Sequence, residues 1–177
     1  MAKLVYGLSQ SLDGYVDHVN LGPPGPEMYR HFLEWTRSSA GLLYGTNMYT
    51  IMRYWEEDQS DWDINEHEFA AMWRSKPKWV VSRSLKSVGA NATLIADDFA
   101  PAVDKLKQEL SGEILSGGPN LAQSLTDAGL IDEYRLYIRP VVLGGSAPFF
   151  AGPRPPLRLT ASDLMPEGII RLTYVPA

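Results

Sequence analysis

Residues Leu115–Gly145 read LSGGPNLAQSLTDAGLIDEYRLYIRPVVLGG, and the order of signals in that run decides the fold. The apolar segment "EILSG" ends in a glycine pair, Pro119 opens an amphipathic stretch, and Gly129 stops it. Proline suits a first helical position because the N–H it lacks is not needed there, and glycine just past the last turn accepts left-handed torsions. The run therefore predicts a strand, a tight turn, the helix "GPNLAQSLTDAGL" and a longer strand, "EYRLYIRPVVLG". A helix starting directly at a strand end points unpaired N–H groups and the positive end of its dipole at whatever lies there. Gly117 and Gly118 let a phosphate approach the main chain. The same pair also serves a bare strand-to-helix turn, and the G-x-G-x-x-G fingerprint is missing.

Working outward, Lys3–Gln10 is a strand, followed by the turn-rich "SLDGYVDHVNLGPPGP". Glu27–Ser38 places Met28, Phe32 and Trp35 at helical spacing, "GLLYG" is a short strand, and "TNMYTIMRYW" is a helix with Thr46 or Asn47 as its cap. "DINEHEFAAMW" is a helix starting from Asp63, "KWVVSRS" and "ATLIA" are strands, and "APAVDKLKQEL" is a helix ended by Gly112. Beyond the opening run lie the strands "LRLTAS" and "IIRLTYV". Strands alternating with helices, then strands alone, predict an α/β fold. We expect a single domain over residues 1–177, with one mostly parallel central sheet flanked by helices and antiparallel strands at its C-terminal end.

Composition narrows the function. At 177 residues, with 45% hydrophobic and 21% charged, the chain is ordinary globular material. No apolar run approaches the roughly 18 residues of a membrane span, and no signal-peptide pattern opens the chain, so a cytoplasmic protein with no membrane partner is expected. The absence of cysteine removes disulfides, thiolate metal sites and a cysteine nucleophile, and His18, His31 and His67 lack ligand spacing, so no metal is expected. A net charge of −5 argues against nucleic acid. Seven acids lie from Glu56 to Glu68 with no Lys or Arg among them, whereas Arg74, Lys76, Lys78, Arg83 and Lys86 follow with no acid between Phe69 and Ala96. That reversal reads either as a local field for one small anion or as solvated surface charge.

Two further strand ends match the first. "YGTNMY" puts Gly45, Thr46 and Asn47 at a strand-to-helix junction, and "VVSRSL" ends a strand with Ser82, Arg83 and Ser84, a grouping able to hold a phosphate monoester. One nucleotide with a pyrophosphate and a separate phosphate accounts for all three, and NADPH is such a molecule. Asp13 in "SLDG" is a candidate proton donor, its pKa raised if Tyr15 and the apolar helix cover it; Asp before Gly is equally a favoured turn pair. Glu27, at a helix start, is the second candidate acid, with an ordinary dipole explanation beside it. The aromatics Tyr54, Trp55, Trp62 and Phe69 either pack onto the domain or form a partner surface.

"LSQSLDGYV", "YGTNMY", "KWVVSRSL", "SGGPNLAQSLTDAGLIDEYRLYIRPVVLGG" and "PFF" stand in the order and spacing of the RibD-type C-terminal reductase domains. The chain resembles a stand-alone member of that family, which shares the dihydrofolate reductase fold, from about Lys3 to Val175. The resemblance implies an NADPH-dependent reductase, commonly a homodimer, that passes hydride to a C=N or C=O group of a small heterocycle, pyrimidine or pteridine-like. It is similar to the 5-amino-6-(5-phosphoribosylamino)uracil reductase of riboflavin biosynthesis. By position, Gly117, Gly118, Pro119, Asn120 and Leu121 would hold the pyrophosphate, Gly45, Thr46, Asn47 and Met48 its other side, and Ser82, Arg83 and Ser84 the 2′-phosphate. Leu8, Ser9 and Gly14–Val16 would lie along the nicotinamide, and Ser11, Asp13, Tyr29 and Phe32 would meet substrate. Thr46 stands where the family usually has Arg, which weakens the case for NADPH over NADH. A non-catalytic nucleotide-binding or dimeric module and a dihydrofolate reductase are the alternatives.

Overall fold

The computed structural model describes the whole chain, Met1–Ala177. β1 (Lys3–Gln10) leads through the two-residue β2 (Tyr15–Val16) and a Gly/Pro loop to α1 (Pro26–Ser38). Then follow β3 (Gly41–Gly45), α2 (Thr46–Met52), a 3-10 turn Arg53–Glu56, α3 (Ile64–Ser75), β4 (Lys78–Val81) and β5 (Ala92–Ile95). α4 (Phe99–Glu109), β6 (Glu113–Gly117), α5 (Pro119–Asp127) and β7 (Glu133–Ile138) complete the alternating part. The tail holds β8 (Ala147–Pro148), β9 (Leu157–Leu164), a 3-10 turn Pro166–Gly168 and β10 (Ile170–Pro176).

Eight strands form one sheet in the order β5-β4-β3-β6-β1-β7-β10-β9. Every pairing from β5 to β7 is parallel, and β10 and β9 add antiparallel to the end. The mostly parallel α/β sheet with antiparallel C-terminal strands is thus as expected. β2 and β8, however, pair with each other in a separate ribbon, so the expectation of a single sheet is corrected. Side chains alternate across the central strands into two cores. Leu4, Tyr6, Leu43 and Ile114 pack with Val103 of α4 and Ala122 and Leu125 of α5. Val5, Leu42, Tyr44 and Leu115 pack on the other face with Leu33, Tyr49 and Trp73 from α1, α2 and α3. Burial on both faces is why these strands read as continuous apolar runs.

The predicted helix ends are partly revised. α5 stops as expected: Gly129, at φ 68°, donates to the Thr126 carbonyl and Leu130 to that of Leu125, a Schellman turn sealed by the buried Leu125 and Leu130. α3 has the expected Asp63 cap, in a reciprocal capping box with Glu66. The cap of α2 is Gly45, not Thr46 or Asn47, because the Thr46 hydroxyl donates to Ser82 Oγ at 2.7 Å instead. α4 ends at Glu109, short of Gly112, and β7 ends at Ile138 because Pro140 follows.

The cationic stretch is mostly structural. Lys78 is 2% exposed, lies 4.2 Å from the Trp73 ring centre and donates to the carbonyls of Lys76 and Arg74 at the end of α3. Arg74 pairs with Asp58, and Lys76 binds the carbonyls of Arg37 and Ser39. Of the five cations only Arg83 reaches the cleft described next.

Candidate functional site

Because β1, β3, β4, β6 and β7 run parallel, their carboxyl ends share one edge of the sheet. A cleft of ≈ 1680 Å³ opens there. α2 and α5 start at this edge, directly after β3 and β6. Their cap residues, Gly45 and Gly118, supply no side-chain acceptor, so the first helical N–H groups are left for another partner. The two turns approach closely. A Cβ on Gly117 would lie 3.3 Å from Met48, and one on Gly45 3.3 Å from Leu121 Cβ. Gly118 sits at φ 100° and ψ 125°, a conformation side chains rarely adopt. Beside it Ser116 is 3% exposed, with an Oγ that has no hydrogen-bond partner. Ser116 escapes a sequence reading because its run of apolar neighbours marks only a strand.

Of the residues expected to bind a nucleotide, the structure brings Leu8, Ser9, Gly45–Met48, Ser82–Ser84 and Gly117–Leu121 to this cleft. Of Gly14–Val16 only Val16 lines it. Ser82 is buried, its Oγ accepting from Thr46 Oγ1 and from the N–H of Leu85 at 3.1 Å; it holds the turn that presents Arg83 and Ser84. Arg83 is exposed at the lip and enters no ion pair, whereas Arg30, Arg37, Arg53, Arg74, Arg135 and Arg171 all do. Asp97 and Asp98, at the end of β5, also line this part of the cleft; Asp98 caps α4 through Ala100 N–H.

The other part of the cleft is walled by side chains. Tyr29 and Phe32 of α1 line it as expected, together with Tyr54 and Trp55 of the 3-10 turn and Glu66 and Phe69 of α3. Ring centres of Trp55 and Phe69 are 4.9 Å apart and those of Tyr29 and Phe69 5.9 Å, so the aromatics pack onto the domain. Trp62, 8% exposed, supports them by donating to Tyr54 OH at 2.7 Å. Arg139, from the end of β7, also lines the cleft and donates to the carbonyls of Gly22 and Pro23, fixing the Gly/Pro loop.

Three expectations are corrected here. Asp13 does not line the cleft; it is exposed, and its carboxylate accepts from the N–H groups of Leu143 and Gly144 at 3.1 and 2.8 Å. Hydrogen bonds from Ser11 and from that backbone lower its pKa to about 2, the opposite of the rise a proton donor needs. Ser11 is fully buried, its Oγ accepting from Tyr15 N–H, and builds the same turn. Glu27 is exposed and faces a neighbouring depression lined by Arg30, Asp63 and Glu66. The α1 N-terminus is served instead by Glu167, whose carboxylate accepts from Gly25 N–H at 2.9 Å. A Cβ on Gly25 would collide with the other oxygen of that carboxylate, Glu167 Oε1, so the glycine makes room for the contact.

The family model described as the RibD C-terminal domain matches residues 2–170. The uncharacterized protein YyaP of Bacillus subtilis (strain 168) is 28% identical, over 97% of this chain and 94% of its own. A Shewanella sp. PV-4 protein provisionally assigned to riboflavin biosynthesis has a solved structure with a TM-score of 0.75, 22% identity and coverage of 100% and 99% of the two chains. The dihydrofolate reductase of Enterococcus faecalis, complexed with NADP(H), gives a TM-score of 0.62 at 11% identity, covering 98% and 95%. The fold is that of the dihydrofolate reductase-like proteins.

Proposed function

Because the chain belongs to the RibD C-terminal domain family, we propose that it is an NADPH-dependent reductase acting on a small heterocycle. The observation that carries this is the convergence of two side-chain-free helix N-termini, the unpartnered Ser116 Oγ and the unpaired Arg83 on one cleft. Uncapped helix ends and an orphaned hydroxyl suit a pyrophosphate, and a free guanidinium suits a phosphate monoester. Gly117–Leu121 and Gly45–Met48 would hold the first, Arg83 and Ser84 the second. The bound cofactor supplies the hydride for a C=N or C=O carbon. The protein's own part is to align the two flat partners between Leu8, Ser9 and Val16 on one side and Tyr29 and Phe32 on the other.

Neither Asp17 nor Tyr29 of the cleft wall is tuned to deliver the proton. Asp17, which lines the cleft, is held at about 2 by hydrogen bonds from Asn20, and burial pushes Tyr29 up to about 12. Water at the cleft mouth fills that role in this reading. The test is oxidation of NADPH with a panel of pyrimidines, pteridines and small carbonyls, in the parent and in Asp13→Asn. Turnover by both supports the reading, whereas nucleotide binding without turnover of any compound favours a non-catalytic module. The homodimer that the resemblance implies draws support from β9, an edge strand of the sheet, where Leu159 and Leu164 are 48% and 83% exposed. Light scattering checks it.

A further inference from the structure

We infer that Asp97 opposes Arg83 in the choice of cofactor. Its carboxylate holds the adenosine 2′-hydroxyl of NADH and repels the 2′-phosphate of NADPH, so the preference for NADPH is narrower than Arg83 alone would set. This deepens the reductase reading, on which it rests, at the nucleotide end of the cleft.

The sheet sets the two charges at neighbouring strand ends. β4 and β5 run parallel, and their ladder closes with Val81 opposite Ile95, after which Ser82 N–H still donates to the Ile95 carbonyl at 3.0 Å. Arg83 and Asp97 each stand two positions past that last pair. Both are exposed and both line the cleft. No ion pair joins them, and neither side chain is bound elsewhere in the protein, whereas Arg74 pairs with Asp58 and Asp98 accepts from Ala100 N–H at 3.3 Å. The positive end of the α4 dipole is served by Asp98, its cap, which leaves Asp97 with no task in the fold.

A free cation beside a free anion distinguishes the two nucleotides at the one place where they differ. In NADPH the 2′ oxygen carries a phosphate, close to a dianion at neutral pH, which a guanidinium grips and a carboxylate opposes. In NADH the same oxygen is a hydroxyl, which donates to a carboxylate and offers a guanidinium little. An acid near a strand end reads a free ribose in this way in the doubly wound dinucleotide-binding folds. A phosphate placed on Arg83 therefore comes to rest beside Asp97, and the attraction of the first is offset by the repulsion of the second. Because both side chains are exposed, water and salt weaken the repulsion, and its effect is several-fold rather than complete.

The test is calorimetric titration with NADPH and with NADH of the parent, Asp97→Asn and Asp98→Asn, each with a melting curve beside it. Asp97→Asn should tighten NADPH by about three- to tenfold and weaken NADH by about twofold or more, the size of an exposed charge interaction. Asp98→Asn keeps an acceptor for Ala100 N–H and should leave NADH affinity at the parent value. If Asp97→Asn keeps the parent's ratio of the two dissociation constants, the inference falls. It falls equally if Asp98→Asn shifts that ratio as far, since net charge alone would then be the cause, or if the parent binds NADPH and not NADH. A parent that binds neither nucleotide is a different result: it removes the reductase reading, and this inference with it.

Discussion

The two ends of the cleft are built from different materials. At the proposed nucleotide end the available groups are mostly backbone: the starts of α2 and α5, set by Gly45 and Gly118, with Arg83 as the one cation of that end outside any ion pair. At the substrate end they are side chains from three separate segments, α1, the turn Arg53–Glu56 and α3, held against one another by ring packing. A backbone site depends on torsions and on the absence of side chains, so one added Cβ can close it. A side-chain site depends on how helices are held, so its weak points lie at remote ties such as Glu167.

The largest effect should come from the backbone end. Gly118→Val forces a branched side chain into φ 100° and should cut NADPH affinity by about a hundredfold or more, equal to roughly 2.7 kcal/mol. A melting curve beside the titration separates the causes: folded protein that binds NADPH like the parent would show that the pyrophosphate does not lie on α5. Next is Arg83→Ala, expected to weaken NADPH by about 1.5–3 kcal/mol while leaving NADH unchanged. Equal losses for both cofactors would make Arg83 structural.

The substrate end should respond differently. Glu167→Ala removes the acceptor for Gly25 N–H and should lower stability by about 0.5–2 kcal/mol, as lost helix caps do. Because α1 carries Tyr29 and Phe32, KM for substrate should rise while the NADPH dissociation constant stays the same. A change in cofactor affinity would show the two ends to be coupled. The smallest effect is Asp13→Asn. A carboxylate whose folded pKa is lowered adds stability above its unfolded value, and loses it as pH falls from the ordinary 3.8 through about 2. Urea midpoints of parent and variant should therefore differ at neutral pH and converge in acid, with kcat unaltered.

The same contrast explains what was legible. Glycine, proline and serine at strand ends speak directly about torsions and open donors, so the residues lining this end of the cleft could be read one by one from "YGTNMY", "VVSRSL" and "SGGPNLAQ". The sheet was legible too, since two-sided burial leaves apolar runs such as "EILSG". Asp13 and Glu27 misled because a carboxylate in a turn or at a helix start looks the same whether it faces a cleft or solvent. Asp13 turned out to tie its loop to Leu143 and Gly144, a contact spanning 130 positions with no local signature. The aromatic wall was visible as residues but not as a wall, because Tyr29 and Phe69 meet only once α1 packs on α3.

The most direct measurement is a crystal structure of the protein with NADP+. The account predicts the pyrophosphate against the main chain of Gly117–Leu121 at the start of α5, hydrogen-bonded there, with the 2′-phosphate on Arg83 and Ser84. A nucleotide bound along the aromatic wall, or its pyrophosphate lying away from α5 with Arg83 turned to solvent, would contradict it.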